Sequence, residues 1–324
     1  MKLRTGSVGR HMPAGHVRFV LMRLRRHTLL LFAGALTAPA AGIEVHGHRG
    51  ARALRPENTL AAFHYAIQAG VDALELDLRV TKDGVLVVSH DGDLKPPVCQ
   101  GPEPRAEILQ LTLRQVKQWD CGSQRNPDFP RQQLAPGERI PALDEVLALA
   151  PRGEFRFNLE TKMNKSGPPE PQIFARLLAE AIRKHRLESR VYVQSFDFRT
   201  LHEMRKLLPG VPRAALYGGG ARSFVEIARE AGAGIISPHY SLVTRQQVEA
   251  SHRAGLKVIA WTANEEKVWA DLAAAGVDGI ITDDPAALHQ ADRAGLFTDH
   301  HDEGIGLLTN AQRRSVAGAH PGVG

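Results

Sequence analysis

Apolar and polar positions in this chain fall into a repeating order: a short apolar run, a turn, then a longer stretch with apolar residues three and four apart. Residues 43–47 make the first run. Pro56-Glu-Asn-Thr59 opens a stretch over 60–69 with apolar residues at 60, 63, 66 and 67, closed by Gly70, the pattern of a glycine-capped helix. Residues 71–80 then alternate: Leu74, Leu76, Leu78 and Val80 are apolar, while Glu75 and Asp77 share the opposite face. Lys82-Asp83-Gly84 is a hairpin turn into a further strand over 85–89. The rhythm breaks between 91 and 139, a segment rich in Pro, Gly, Gln and charge with one short predicted helix at 113–119. So long a connection inside a compact domain is usually functional, so it reads as an insertion over a site, with a solvated surface excursion as the alternative.

Beyond 139 the alternation becomes regular. Helices are predicted at 143–150, 173–185, 201–208, 224–231, 245–254, 267–275 and 286–293, and strands at 155–161, 191–194, 214–217, 235–236, 257–261 and 279–281. With 43–47 and 71–80 the strands number eight, most followed by a helix, over about 250 residues. This predicts an α/β protein, a single (β/α)8 TIM barrel with a small insertion after the hairpin of its second strand. A doubly wound open sheet is the alternative, but no Gly-x-Gly-x-x-Gly fingerprint supports it.

Charge alters the reading of the N-terminus. The chain carries a formal net charge of +6, yet seven basic residues and no acids precede residue 41, so the remainder is at −1. The body's charge therefore argues neither for nor against a polyanion, and no nucleic-acid partner is expected. The basic leader runs into a short apolar core over 28–37 and then Ala38-Pro39-Ala40, the order of a secretory signal peptide. That core is about half the roughly 20 residues a membrane span needs, so no stable span is expected after cleavage. Residues 1–40 are thus read as a signal with a possible true start at Met22, 41–297 as the barrel domain, and 298–324 as a disordered tail. The mature chain is expected to be secreted, into a periplasm. Both cysteines, Cys99 and Cys121, fall in the 91–139 segment. In an oxidising compartment they would close a loop of about 20 residues and stabilise by roughly 3 kcal/mol; two buried thiols are the alternative.

Candidate chemistry collects where such barrels place it, at the C-terminal ends of the strands. His48 and Arg49 follow the first strand, Glu75 and Asp77 lie late in the second, and His90 ends the hairpin strand. Glu160 and Lys162 end the strand at 155–161, Gln194 ends that at 191–194, and His239 and Trp261 stand at the ends of two later strands. Glu75 and Asp77, facing the interior together, would repel unless a cation sat between them or Arg49, Arg79 or Lys162 satisfied them. With Glu160 they make an all-oxygen set suited to one hard divalent cation, Ca²⁺ or Mg²⁺. His48 and His90 are the groups able to trade protons near neutrality, one as general base and one as general acid. Arg49 and Lys162 supply donors for an anionic substrate. A divalent ion, two cations and an acid–base pair together fit phosphodiester cleavage.

The ordered motifs His48-Arg49-Gly50, Pro56-Glu-Asn-Thr59, Glu75-x-Asp77, Ser89-His90 and Glu160-x-Lys162 resemble those of the glycerophosphodiester phosphodiesterase family, and the 91–139 segment, with Asp120-Cys-Gly122 and Ile140-Pro-x-Leu143, resembles that of its secreted bacterial members. Gln194-Ser-Phe-Asp197, Trp261-Thr-x-Asn264 and Thr282-Asp-x-Pro285 resemble it too, so the similarity runs from 44 to about 293. The resemblance implies a metal on Glu75, Asp77 and Glu160, acid–base roles for His48 and His90, and phosphate contact from Arg49 and Lys162. Gln194 and Trp261 are expected as further substrate contacts. The implied reaction splits a small glycerophosphodiester into sn-glycerol 3-phosphate and an alcohol. The rivals are a phospholipase D of the sphingomyelinase type on the same barrel, which longer apolar loops would favour, and a non-catalytic surface binding protein, which the intact set of candidate residues disfavours.

Overall fold

The computed structural model describes residues 42–164 and 167–297. The leader at 1–40 and the tail at 298–324 lie outside the described residues. In chain order the elements are β1 (Glu44–Gly47), α1 (Leu60–Ala69), β2 (Ala73–Val80), β3 (Leu86–Val88), β4 (Asp93–Leu94), β5 (Ala106–Glu107), α2 (Leu113–Val116), α3 (Leu143–Leu147) and β6 (Arg156–Thr161). There follow α4 (Pro171–His185), β7 (Val191–Ser195), α5 (Phe198–Leu207), β8 (Arg213–Tyr217), α6 (Phe224–Ala231), β9 (Ile235–Pro238), α7 (Arg245–Arg253), β10 (Lys257–Ala260), α8 (Glu266–Ala275), β11 (Gly279–Thr282) and α9 (Pro285–Arg293).

Eight of these strands close on themselves. The order is β1-β11-β10-β9-β8-β7-β6-β2, all parallel, and β1 also pairs with β2, which shuts the sheet into a barrel. The predicted (β/α)8 architecture is the one observed, and β3 is the hairpin strand, antiparallel to β2 with Arg79 opposite Val87. The main core lies between barrel and helices, where α4 presents Phe174, Leu178 and Ile182 and β6 presents Phe157 and Leu159. Local rules set the boundaries. The Thr59 hydroxyl accepts from Ala62 N–H to start α1, and Gly70 ends it with φ 86. The spacing predicts α3 over 143–150, but it ends at Leu147 and a 3₁₀ turn follows over Ala150–Arg152. Pro151 explains this: it lacks an N–H and disfavours helical geometry in the residue before it.

The 91–139 segment forms a satellite core of its own around Leu94, Ile108, Val116 and Trp119. A Cys99–Cys121 disulfide lies within it. The helix predicted over 113–119 spans only Leu113–Val116, because the chain then turns to bury Trp119 in that core. Asp120 ties the segment down, accepting from the backbone N–H groups of Gly122, Ser123 and Gly137, each at 2.9 Å. Instead of lying over the site, the segment packs beside it. Arg131 reaches Asp284 at 2.7 Å, and Phe129 lies 4.5 Å from the Arg52 guanidinium.

Candidate active site

A cavity of about 210 Å³ opens at the C-terminal rim, lined by His48, Arg49, Glu75, His90, Glu160, Lys162, Gln194 and Trp261, together with Arg52, Phe196, Leu216, Thr262 and Ile281. None of residues 91–139 is in that lining. Register explains how distant residues meet. Glu75 stands opposite Asn158 and Asp77 opposite Glu160 on the neighbouring strand, and Glu160 stands opposite Gln194 on the next. Glu75, Asp77 and Glu160 are all buried and offer ligand oxygens within 4.8 Å of one another.

The His-Arg-Gly turn is shaped by these carboxylates. Arg49 has φ 50 and Gly50 φ 85, left-handed conformations that cost a non-glycine residue about 1–2 kcal/mol. Three contacts hold Arg49 there. Its N–H donates to Glu75 Oε2 at 2.9 Å, its carbonyl accepts from Asn58 N–H at 3.0 Å, and its guanidinium donates to Glu57 Oε1 at 2.6 Å. A side chain at Gly50 would meet Ala62 at 2.8 Å. The guanidinium Nε is also 3.3 Å from Asp77 Oδ2, which accepts from Asn58 Nδ2 at 3.0 Å.

Burial and like charge divide the carboxylates. Burial, together with the Asp77 and Glu160 charges, raises Glu75 well above the usual carboxylate range. Burial and Asp77 push Glu160 up to about 7 against the pull of Lys162. Asp77 is held well below its usual value because Lys162 and Arg49 outweigh its burial. Lys162 Nζ lies 3.1 Å from Asp77 Oδ1 and 2.6 Å from Glu160 Oε1, but without hydrogen-bond directionality, so both oxygens are buried without a hydrogen-bond partner. Orphaned oxygens on Asp77 and Glu160, converging with the Glu75 carboxylate, are what a hard cation satisfies, so the residues present fit one divalent ion.

His48 is held by one ring nitrogen. Its Nδ1 is 2.5 Å from Asp283 Oδ1, which leaves Nε2 turned toward the site, 3.9 Å from Glu75 Oε2. Asp283 is itself fixed by Asn264 Nδ2 at 2.7 Å and lies 3.1 Å from Arg52 Nε. Burial lowers the His48 pKa, and Arg49 and Arg52 add to this, against the raising effect of Asp283. His90 lines the same cavity, half-exposed, its Nδ1 2.9 Å from Asp91 Oδ1. The hairpin brings it there: Ser89 N–H bonds Asp77 O, and Arg79 Nη2 bonds His90 O at 2.7 Å.

Gln194 and Trp261, expected as substrate contacts, reach the cavity wall with polar groups already engaged. Gln194 Nε2 donates to Glu75 Oε1 at 2.9 Å, and Trp261 Nε1 donates to Ser237 O at 2.8 Å. His239, read at the rim, packs its ring against Trp261 at 5.1 Å outside the lining. Glu57, Asn58, Asp283 and Arg52 were missed as individual site residues. The first three lie in segments that were read as motifs, and a carboxylate just past the end of β11 was the available signal for Asp283.

Comparison with known proteins agrees with this geometry. The model of the glycerophosphoryl diester phosphodiesterase family matches residues 48–287. A glycerophosphodiester phosphodiesterase of Caldanaerobacter subterraneus is 34% identical over 78% of this chain and 98% of its own length. One from Bacillus subtilis is 29% identical over 80% and 89%. Among solved structures, an Oleispira antarctica phosphodiesterase in complex with the product sn-glycerol-3-phosphate has a TM-score of 0.67 at 27% identity, covering 76% of this chain and 96% of that one. A glycerophosphodiester phosphodiesterase from Agrobacterium tumefaciens has a TM-score of 0.63 at 26% identity, covering 76% and 99%.

Proposed function

The chain belongs to the glycerophosphoryl diester phosphodiesterase family and is an enzyme of that class, and from this premise we propose that it hydrolyses small glycerophosphodiesters to sn-glycerol 3-phosphate and an alcohol by acid–base catalysis between His48 and His90. The carrying observation is that two histidines line one cavity together with Glu75 and Glu160, on which buried Asp77 converges. Glu75, Asp77 and Glu160 would hold one Ca²⁺ or Mg²⁺, which supplies positive charge for the developing phosphoryl negative charge. Arg49 and Lys162 are prepaid donors for the same oxygens, each kept charged by the carboxylates that flank it. His48 Nε2 is free to take or give a proton while Asp283 holds Nδ1. His90, in the same lining and anchored by Asp91, serves the other oxygen of the scissile diester. Gln194 steadies Glu75, and the rings of Trp261 and Phe196, 5.4 Å apart and edge to face, form an apolar wall for the substrate's carbon skeleton.

Export fits the same reading. The leader's charge and apolar core support a signal ending near residue 40, and a disulfide suits the oxidising space beyond it. No helix among the described residues is long and apolar enough to cross a membrane. The direct test is coupled detection of glycerol 3-phosphate release from glycerophosphocholine, glycerophosphoethanolamine and glycerophosphoglycerol, with and without divalent ions. His48→Ala and His90→Ala should fold normally and lose at least about a hundredfold in turnover, the lower end for one acid–base group. Near wild-type turnover in either variant, or no release from any of the three diesters, would sink the proposal.

A further inference from the structure

Branched apolar side chains usually fill the interior of such barrels, and here they fill only half of it. Ala214, Ile235, Ile259 and Ile281 close the side made by β8–β11. Opposite them, β1, β2, β6 and β7 contribute His46, Glu75, Asn158 and Gln194, all buried. These polar groups form one column running from the rim toward the N-terminal end of the barrel. Gln194 Nε2 donates to Glu75 Oε1 at 2.9 Å, and Asn158 Nδ2 donates to Gln194 Oε1 at 3.0 Å. The same Asn158 nitrogen lies 3.3 Å from His46 Nδ1, and His46 Nε2 lies 3.3 Å from Glu44 Oε2. Glu44 also accepts from Tyr192 Oη at 3.0 Å and from Lys257 Nζ at 3.1 Å.

With the His46 ring neutral, donors and acceptors along this column alternate in one sense only. An ionised Glu44 accepts and cannot donate, so the neutral ring gives it the Nε2–H and keeps Nδ1 as an acceptor. Burial opposes the ionisation of Glu44, but the contacts with His46 and Lys257 outweigh it and bring its carboxyl to about 2. Asn158 therefore turns its nitrogen, with both hydrogens, toward His46 and Gln194. Its oxygen is left buried without a hydrogen-bond partner, a cost accepted nowhere else on the column. Gln194 must then face Asn158 with oxygen and Glu75 with nitrogen. Turned the other way it would press an amide oxygen against the carboxylate that a bound ion would keep ionised.

We propose that His46 and Asn158 are positioning residues for Glu75: the His46 tautomer selected by Glu44 fixes both amides of the column and so keeps an N–H donor on one oxygen of the ion-binding carboxylate. The inference rests on the proposed role of Glu75 as an ion ligand. None of the three column residues His46, Asn158 or Glu44 lines the cavity, and the hydrogen-bonded side-chain route from them to Glu75 runs through Gln194.

The test is calorimetric titration of the ion-free protein with Mg²⁺ and, separately, Ca²⁺. It compares wild type with Asn158→Leu, which keeps the amide's shape, Gln194→Ala, and the pair combined. Each single variant should bind the ion about tenfold more weakly, as loss of an outer-shell partner does, and the pair no more weakly than Gln194→Ala alone. At saturating ion, KM for the diester in Asn158→Leu should stay within about twofold of wild type, since Asn158 does not line the cavity. His46→Phe, which keeps a ring against Tyr192 where the two stack at 5.9 Å, repeats the test if Asn158→Leu fails to fold. Unchanged affinity in Asn158→Leu and His46→Phe, or losses that multiply in the pair, overturns the relay while leaving Glu75 as a ligand. A wild-type protein that binds neither ion overturns the relay together with the ligand assignment beneath it.

Discussion

Replacing Asp283 by Asn asks whether His48 works as an acid or as a base. The substitution keeps the side chain's shape and removes its charge from a site where Oδ1 lies 2.5 Å from His48 Nδ1 and 3.1 Å from Arg52 Nε. A hydrogen bond to a charged group contributes about 1.5–3 kcal/mol, so kcat/KM should fall about 10- to 150-fold. The pH dependence has a definite sign. Burial, Arg49 and Arg52 pull His48 down, and Asp283 opposes them. In Asp283→Asn that opposition is gone and Arg52 loses its counter-charge, so the His48 pKa falls further. If His48 is the base, the acidic limb of kcat/KM against pH moves to lower pH; if it is the acid, the alkaline limb does. The assay is glycerol 3-phosphate release at saturating Ca²⁺ or Mg²⁺ across the pH range. A rate within about threefold of wild type with both limbs in place would refute the dyad as part of the machinery.

Other expectations follow from the same contacts. Glu75 and Glu160 hold protons in the folded chain that the unfolded chain releases near its ordinary carboxylate range, because burial and neighbouring charge raise both, Glu160 to about 7. Stability of the ion-free protein should therefore be greatest at low pH in this respect and be lost as the pH rises through about 7, with Ca²⁺ or Mg²⁺ restoring it. A Tm in EDTA that climbs from about pH 5 to 8 contradicts the assignment. Chelation should also abolish activity, reversibly. Replacing Cys99 and Cys121 by Ala opens a loop with a sequence separation of 22, at a cost of about 3 kcal/mol. For a domain of this size that lowers Tm by about 6–12 °C, and a change under about 1 °C would show the loop is constrained without the bond. Arg49→Lys keeps the charge but cannot span Glu57 and Asp77 together, as the guanidinium does at 2.6 and 3.3 Å. It should lose at least about tenfold in kcat/KM, and equal activity would show that charge alone matters at this position.

Periodicity made the barrel legible because each strand is apolar on its outward face and each helix on one stripe. Two helices end earlier than the spacing predicts: α3 at a proline whose effect on the preceding residue apolar spacing does not register, and α2 where the chain turns to bury Trp119. Polar residues at strand ends made most of the site legible for a similar reason: an uncompensated charge closing an apolar run has few structural uses. Asp283 was harder, since its partner His48 is 235 residues away and only barrel closure brings them together. Gln194 was placed on the correct wall, but the choice between a substrate and Glu75 depends on where one amide nitrogen points. His46 gave no signal, because one polar residue inside a four-residue strand resembles ordinary variation. The 91–139 segment announced an insertion by composition, but its placement beside the mouth depends on contacts such as Arg131 with Asp284, which composition does not encode.

The divided interior of the barrel also bears on how such an enzyme could diversify. On the β8–β11 side, volume-conserving apolar exchanges at Leu216 or Ile281 would cost under about 1.5 kcal/mol and reshape the wall that meets the substrate. On the β1, β2, β6 and β7 side almost every interior residue is a partner of another, so a single exchange strands a buried donor or acceptor. Variation is thus channelled to one half of the rim. A lineage, or a laboratory library, can reshape the cavity there while the half proposed to handle the ion and the proton is inherited intact.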